Sequence, residues 1–318
     1  MLRKTALSVV LAGAAACALA AYPEKPIRMI LPSAAGGSVD ILMRVLAQQM
    51  SAQMGVGFVV ENKPGASFVT GTMDIVRAAP DGYTIGYGNI VSLAVNRTLI
   101  PKLPYDVEKD LTLISNCVQV FNMLAVSNDL PVRSVQELVA YAKKHPGKLS
   151  NGSSGNGTTG HLGGELFKTM TGISMVHAPY KGSPQAINDL VAGRIQVMFD
   201  NVPSIGPHVK AGRVRGLGVS SPKRAAQFPD LPTIAEAVPG YETNSWGGVI
   251  GPAKLPKEIV SRLTDEIRKA LAAPAVAERY RQLDTEPDGA GPEAFLELVR
   301  KETPKWADVV KKSGAKVD

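Results

Sequence analysis

The chain has 318 residues, 45% hydrophobic and 5% aromatic, and carries a formal net charge of +7. That length and apolar share are enough for a large buried core and point to two domains. Lysines and arginines are scattered and few rings are available to stack on bases, which argues against nucleic-acid binding and leaves a mild positive excess suited to a small acidic ligand.

At the start, Arg3 and Lys4 precede the apolar run Leu7 to Leu19, and Ala18-Leu19-Ala20 supplies a small-x-small cleavage pattern. Residues 1–21 therefore read as a cleavable export signal, and the mature chain is expected in the periplasm. The apolar run is shorter than a membrane span, so no direct membrane insertion is expected. Ala14-Ala15-Ala16-Cys17 is a degenerate lipoprotein box without leucine three before the cysteine, and it leaves lipidation of Cys17 open. Cleavage removes Arg3 and Lys4, lowers the charge to +5 and leaves Cys117 without a disulfide partner, so the fold must rest on its core.

From there, short β-like runs alternate with helical patterns. Ile27–Leu31, Phe58–Glu61 and Thr84–Tyr87 read as strands, with helices over Ser38–Met54 and Thr70–Ala78 between them. Leu113–Val126 lacks helical periodicity and reads as a hinge strand. Ser134-Val135-Gln136-Glu137 has capping-box spacing and predicts a helix running to Lys144, ahead of Pro146. A second series follows, with strands at Leu149–Asn151, Met175–Ala178, Val197–Phe199 and Gly216–Val219. Its helices lie at Gly160–Thr171, Ser183–Ala192 and Ser204–Ala211. Tyr241–Gly251 is the second hinge candidate, and three helices close the chain at Lys257–Ala272, Pro274–Leu283 and Pro292–Lys312. Repeated strand–helix–strand units predict an α/β fold of doubly wound parallel sheets. The expected domains are 22–124 with 243–318, and 125–242, joined by the two hinge strands.

Two glycine-rich turns stand out in this order. Pro32-Ser33-Ala34-Ala35-Gly36-Gly37-Ser38-Val39-Asp40 follows the first strand, and Asn151 to Gly160 follows the first strand of the second series. Each opens a helix at the carboxyl end of a strand, where ligands of such sheets bind. Glycine lets backbone N–H groups turn toward a ligand, and the helix behind adds its positive end. Two such ends facing each other make a clamp for an anion. Asn89 and Ser92, beyond the third strand, are candidate polar pocket walls or a helix cap. Asp200, ending a buried strand, has either a structural or a ligand-facing role, and a protonated form would donate to a carboxylate. Gln119 and Asn122 on the hinge segment are further candidates. Trp246 is expected in the core beside the hinge, and Asp40 as a carboxylate balancing a helix end.

The chain resembles the Bug/TctC family, the periplasmic solute receptors of tripartite tricarboxylate transporters. The residues carrying the resemblance run in order from Tyr22-Pro23-Glu24-Lys25-Pro26-Ile27-Arg28 through Gly36-Gly37-x-x-Asp40, Glu61-Asn62-Lys63-Pro64-Gly65-Ala66 and Ala79-Pro80-Asp81-Gly82-Tyr83-Thr84. They continue with Ser153-Ser154-Gly155-Asn156-Gly157, His161-Leu162, Pro179-Tyr180-Lys181-Gly182 and Phe199-Asp200-Asn201. The resemblance implies a monomeric two-domain periplasmic binding fold that closes on a small organic carboxylate and delivers it to membrane permease subunits. Carried over, the grip falls on Ala35, Gly36, Gly37 and Ser38, opposite Ser154, Asn156, Gly157 and Thr158. Ser33 stands where the family commonly has phenylalanine, which implies a wider or more polar wall and a bulkier acid, with terephthalate as a candidate.

Rival readings fare worse. Gly155-Asn156-Gly157-Thr158-Thr159-Gly160 spells a dinucleotide fingerprint, but the neighbourhood about twenty residues on is His177-Ala178-Pro179-Tyr180, without the acid that holds a ribose. No cofactor is expected. Gly152-Ser153-Ser154-Gly155 is not a nucleophile elbow, and nothing in the spacing requires His161, His177 or Asp200 to serve Ser154. His145, His177 and His208 lack metal-ligand spacing, so no metal is expected. A ligand-presenting sensor and a periplasmic enzyme using the same cleft remain the alternatives.

Overall fold

The computed structural model describes residues 22–315, so the export signal read at 1–21 and the lipidation question at Cys17 lie outside the described residues. β1 (Ile27–Leu31), α1 (Ser38–Met54), β2 (Phe58–Asn62), α2 (Val69–Val76) and β3 (Thr84–Asn89) follow in turn. A π-helical turn at Val91–Val95 and two short helices, α3 (Asn96–Leu99) and α4 (Val107–Asp110), lead into the long β4 (Leu111–Val126). Next come α5 (Val135–Lys144), β5 (Leu149–Ser153), α6 (Thr159–Thr171), β6 (Met175–Pro179), α7 (Ser183–Val191), β7 (Val197–Asn201), α8 (Val202–Lys210) and β8 (Arg215–Val219). The chain closes with β9 (Asn244–Pro252), α9 (Lys257–Ala272), α10 (Pro274–Gln282), β10 (Thr285–Pro287) and α11 (Pro292–Ser313).

The strands form one curled sheet in the order β2-β1-β3-β9-β4-β7-β5-β6, with β8 and β10 also paired to β4. β1 is parallel to β2 and β3, and β5 is parallel to β6 and β7, as the strand–helix–strand units require. β4 and β9 run antiparallel between these two parallel sets. Along β4 the partners change: Leu111 to Phe121 pair with β9, and Asn122 to Val126 pair with β7.

Alternation along the strands places helices on both faces. Ile27, Met29 and Leu31 of β1 pack into a core with α1, α9 and α10, while Ile30 points the other way to α2 and α11. The second parallel set repeats the arrangement. Leu124, Val126, Val197 and Phe199 face α5 and α6, and Met123, Ala125 and Met198 face α7 and α8. Both sets are thus doubly wound. Trp246 is buried in the first set against Phe295, ring centroids 6.1 Å apart. Cys117 is a buried free thiol that burial pushes up to about 12.

α5 begins as its spacing predicts, but the box is opened by one residue. The Ser134 hydroxyl accepts from Glu137 N–H (3.1 Å), whereas the Glu137 carboxylate reaches back to Arg133 N–H (2.7 Å). No helix among the described residues is long and apolar enough to cross a membrane.

Candidate functional site

A cavity of about 300 Å³ lies between the carboxyl ends of the two parallel sets. Four helices begin at its wall: α1 through Gly37 and Ser38, α6 through Thr158 and Thr159, α7 through Gly182 and Ser183, and α8 through Asn201. The first turn of a helix has N–H groups without intrahelical acceptors. At α6 the Thr158 hydroxyl takes one, from His161. At α1, α7 and α8 no side chain caps the end. Three uncapped helix ends therefore converge on one cavity whose described lining holds a single cation, Lys181. Such an arrangement is charge-selective for anions without an arginine clamp.

Of the residues expected at the site, Ser33, Gly37, Ser38, Asn89, Ser154, Asn156, Thr158 and Asp200 line the cavity. Ala35, Gly36, Ser92 and Gly157 do not. Ala35 and Gly36 are exposed, and Gly36 N–H is taken by Asp40 Oδ2 (2.9 Å), whose other oxygen binds Arg44 and Asn62. Gly157 N–H donates to His161 Nδ1 (3.0 Å). Ser92 is fully buried, its hydroxyl accepting from Asn89 N–H (3.0 Å). Asn89 fills both roles proposed for it: its Oδ1 accepts from Val91 and Ser92 N–H while the residue lines the cavity. Gln119 borders a separate cleft, and Asn122 Oδ1 accepts from Thr159 (3.2 Å).

Other lining residues escaped the sequence reading. Tyr180, Lys181 and Gly182 come from a motif that carried the resemblance, and Pro184 and Pro203, at the starts of α7 and α8, were the available signals for two more helix ends. In the loop Ala66-Ser67-Phe68 only Ala66 belongs to such a motif, and no glycine or proline within the loop marks its backbone. Its φ values of 43°, 52° and 71° are left-handed without glycine, a conformation costing roughly 1–2 kcal/mol per residue. Tertiary bonds hold it: Asn96 Nδ2 donates to Ser67 O (2.7 Å), and Ser67 Oγ donates to Asn156 O (2.9 Å) across the cavity mouth. Asn201 Nδ2 donates to Ser38 Oγ (2.9 Å), a second bond between the two sides. Ser33 contributes a hydroxyl with no protein partner, while the rings of Phe68, Tyr87 and Tyr180 stand elsewhere in the wall.

Asp200 is 4% exposed. Its Oδ1 accepts from Ser183 (3.0 Å) and its Oδ2 has no partner. Burial pushes its carboxyl up to about 7, against the opposing pull of Ser183 and the Asn201 N–H. Among the described residues, Ser154, His177 and Asp200 are not joined in a relay. His177 Nε2 bonds Ser153 rather than Ser154 (2.7 Å), and Asp200 is engaged by Ser183. Among the described residues no group of three or more His, Cys, Asp or Glu side chains is placed to hold a metal ion.

His161 and His177 stack face to face, centroids 3.8 Å apart, and brace the second glycine turn through Gly157 and Ser153. Burial, then the neighbouring His161, pulls His177 from its ordinary 6.5 to about 3, and burial lowers His161 as well. Unfolding then takes up protons between about 3 and 6.5, so the stabilisation is complete above 6.5 and is lost as pH falls through that window. Tm is expected to be lower at about pH 5.5 than at about pH 7.5, with a smaller drop in His177→Gln. An equal drop in both proteins would refute this assignment.

The chain matches the model of the tripartite tricarboxylate transporter family receptor, TctC, over residues 42–315. It is 38% identical over 307 residues to the UPF0065 protein in the tcbD-tcbE intergenic region of Pseudomonas sp. (strain P51), covering 96% of this chain and 91% of that one. It is similar in structure to R. palustris Rpa4515 with adipate, with a TM-score of 0.90 and 37% identity over 93% of this chain and 99% of the other. Periplasmic binding protein BugD superposes with a TM-score of 0.89 at 34% identity, over 93% and 99%.

Proposed function

The chain belongs to the TctC family of tripartite tricarboxylate transporter receptors, and we propose that it is a monomeric periplasmic receptor for a small organic dicarboxylate. The observation that carries this reading is the convergence of three uncapped helix ends and one lysine on a single cavity. Each helix end contributes roughly 0.3–2 kcal/mol toward an anion. Charge-assisted hydrogen bonds add about 1.5–3 kcal/mol apiece. A few of these reach the roughly −8 kcal/mol of micromolar binding. Adipate in the related R. palustris protein supports the choice of a dicarboxylate. Terephthalate is the ring-bearing member of the same class.

Among the described residues the jaws are 22–124 with 243–315, and 125–242, a division that falls within three residues of the change of partner along β4. Ligand bridging both jaws favours the closed form by population shift. The bonds Ser67–Asn156 and Ser38–Asn201 belong to that form. The closed surface is what the membrane permease subunits read, and the acid passes to them unchanged.

The test is thermal unfolding of ligand-stripped protein against citrate, C4 to C6 dicarboxylates, acidic amino acids, nicotinate, benzoate, the phthalate isomers and protocatechuate. Ligand at about a hundred times its Kd adds about 2.7 kcal/mol. For a chain of this size that is a Tm rise of about 5–10 °C. A rise with one or a few dicarboxylates supports the reading. No rise with any acid in a cooperatively unfolding sample, or turnover of the acid that binds, overturns it.

A further inference from the structure

We propose that Asp200 makes dicarboxylate capture a proton-coupled event: the complex forms with Asp200 as the neutral carboxylic acid, its Oδ2–H donated to a carboxylate of the ligand. This rests on the receptor reading above and adds a selectivity rule to it.

The geometry is that of an unfinished hydrogen bond. Asp200 Oδ1 is satisfied by Ser183, while Oδ2 is buried, unpartnered and on the wall of the ligand cavity. A buried polar atom left without a partner is costly, and it marks a place where a ligand completes the set. The surroundings hold little to balance another negative charge. Opposite Asp200 on β4 stands Met123. α7 brings Ser183, α8 opens with Asn201 and Val202, and α1 brings Ser38, already bonded to Asn201. Asp40 and Arg44 pair with each other on α1 and are outside the lining.

The other titratable groups of the described lining are Lys181, Tyr87 and Tyr180. Burial raises both phenols, Tyr180 to about 12, and Tyr180 donates its hydroxyl to Asp189 (2.7 Å). Neither phenol carries charge near neutrality. A dianion beside an ionised, buried Asp200 would therefore set three negative charges against one ammonium. Ligand and ionised Asp200 would also compete for the same positive helix ends. Protonating Asp200 removes both conflicts and converts a repelled acceptor into the missing donor. The proton comes from solvent. Because burial already holds the free carboxyl near 7, the cost of adding it near neutrality is small.

Calorimetric titration of adipate, malate and terephthalate into the full mature protein tests this. Each titration is run at several pH values from about 7 to 9, in buffers of low and high protonation heat. The expected result is uptake of about one proton per ligand at about pH 8, with Kd rising about tenfold per pH unit above 7. Asp200→Asn, which keeps a donor at that position, should bind with no proton uptake and a flat pH profile. Binding to the wild type without proton uptake, and with a flat profile, overturns the proposal while leaving the receptor reading intact. Absence of binding by any acid to folded wild type overturns both. The proton count on the wild type decides the matter even where the variant fails to fold.

Discussion

Gly160→Ala is expected to destabilise the protein by about 3 kcal/mol, the upper part of the range for overpacked cores. In a chain of this size that is a Tm loss of about 6–12 °C. Gly160 stands in the first turn of α6, fully inside the fold. A Cβ there would meet the carbonyl oxygen of Phe199, with the carbonyl carbon 3.3 Å away. A flexible side chain could swing aside; this is sheet backbone. Phe199 pairs with Leu124 across β4, and its ring packs between Phe167 and Tyr241. Either α6 lifts off the sheet or β7 bends.

Both responses damage the site as well as the fold. α6 carries Thr158 and Thr159 in the cavity wall, and β7 carries Asp200. Urea or thermal unfolding of the purified variant checks the prediction, and a Tm within about 2 °C of wild type would show that the helix–strand approach is looser than described. The same glycine gives a structural reason for the dinucleotide-like spelling of this turn. The last glycine of that pattern exists to let a helix lie close on a strand. This chain needs the same close approach, but it ends the next strand with His177-Ala178-Pro179 instead of an acid.

What the sequence made legible was whatever depends on local chemistry. α1 and α9 begin and end where their patterns place them, because a glycine turn precedes one and Pro256 the other. The two non-helical segments proved to be β4 and β9, since apolar runs without a 3.6 period suit strands buried on both faces. What escaped depends on distant partners. Ile90 to Val95 is apolar at nearly every position, so no period distinguishes its π-helical turn from a strand. β10 is three residues long and is defined only by pairing with Val118 to Val120. The left-handed turn at Ala66 to Phe68 has no glycine and is held by Asn96 and Asn156, far along the chain.

The candidate site divides on the same line. The glycine turns were readable because their glycines and following helices are contiguous. That Gly36 and Gly157 spend their N–H groups on Asp40 and His161 was not, since hydrogen-bond partners four residues away leave no compositional trace. Residues that look alike in sequence, Gly36 and Gly37, thus take different parts. One closes a turn, and the other faces the cavity.

That difference makes Gly37→Val the sharpest check on the site, and a Kd at least tenfold higher for the bound dicarboxylate is the expected result, a loss of about 1.4 kcal/mol. Gly37 has φ −80°, a conformation open to any residue, so the substitution carries no backbone strain. A Cβ added there meets only Ala34 O, at an ordinary 3.5 Å, and otherwise enters open space. Because Gly37 is buried and lines the cavity, that space belongs to the cavity. The valine methyls would stand in front of the uncapped first turn of α1 and keep a carboxylate from its N–H groups. Stability should stay near wild type in the absence of ligand, so that loss of affinity reports on the site alone. Gly36→Val supplies the contrast: φ is +77°, its N–H is already bonded to Asp40, and it lies off the cavity. That variant should lose stability more than intrinsic affinity. Titration calorimetry on both, with thermal unfolding alongside, separates the two roles. Unchanged affinity in a folded Gly37→Val protein would remove α1 from the ligand grip and leave the anion to α7, α8 and Lys181.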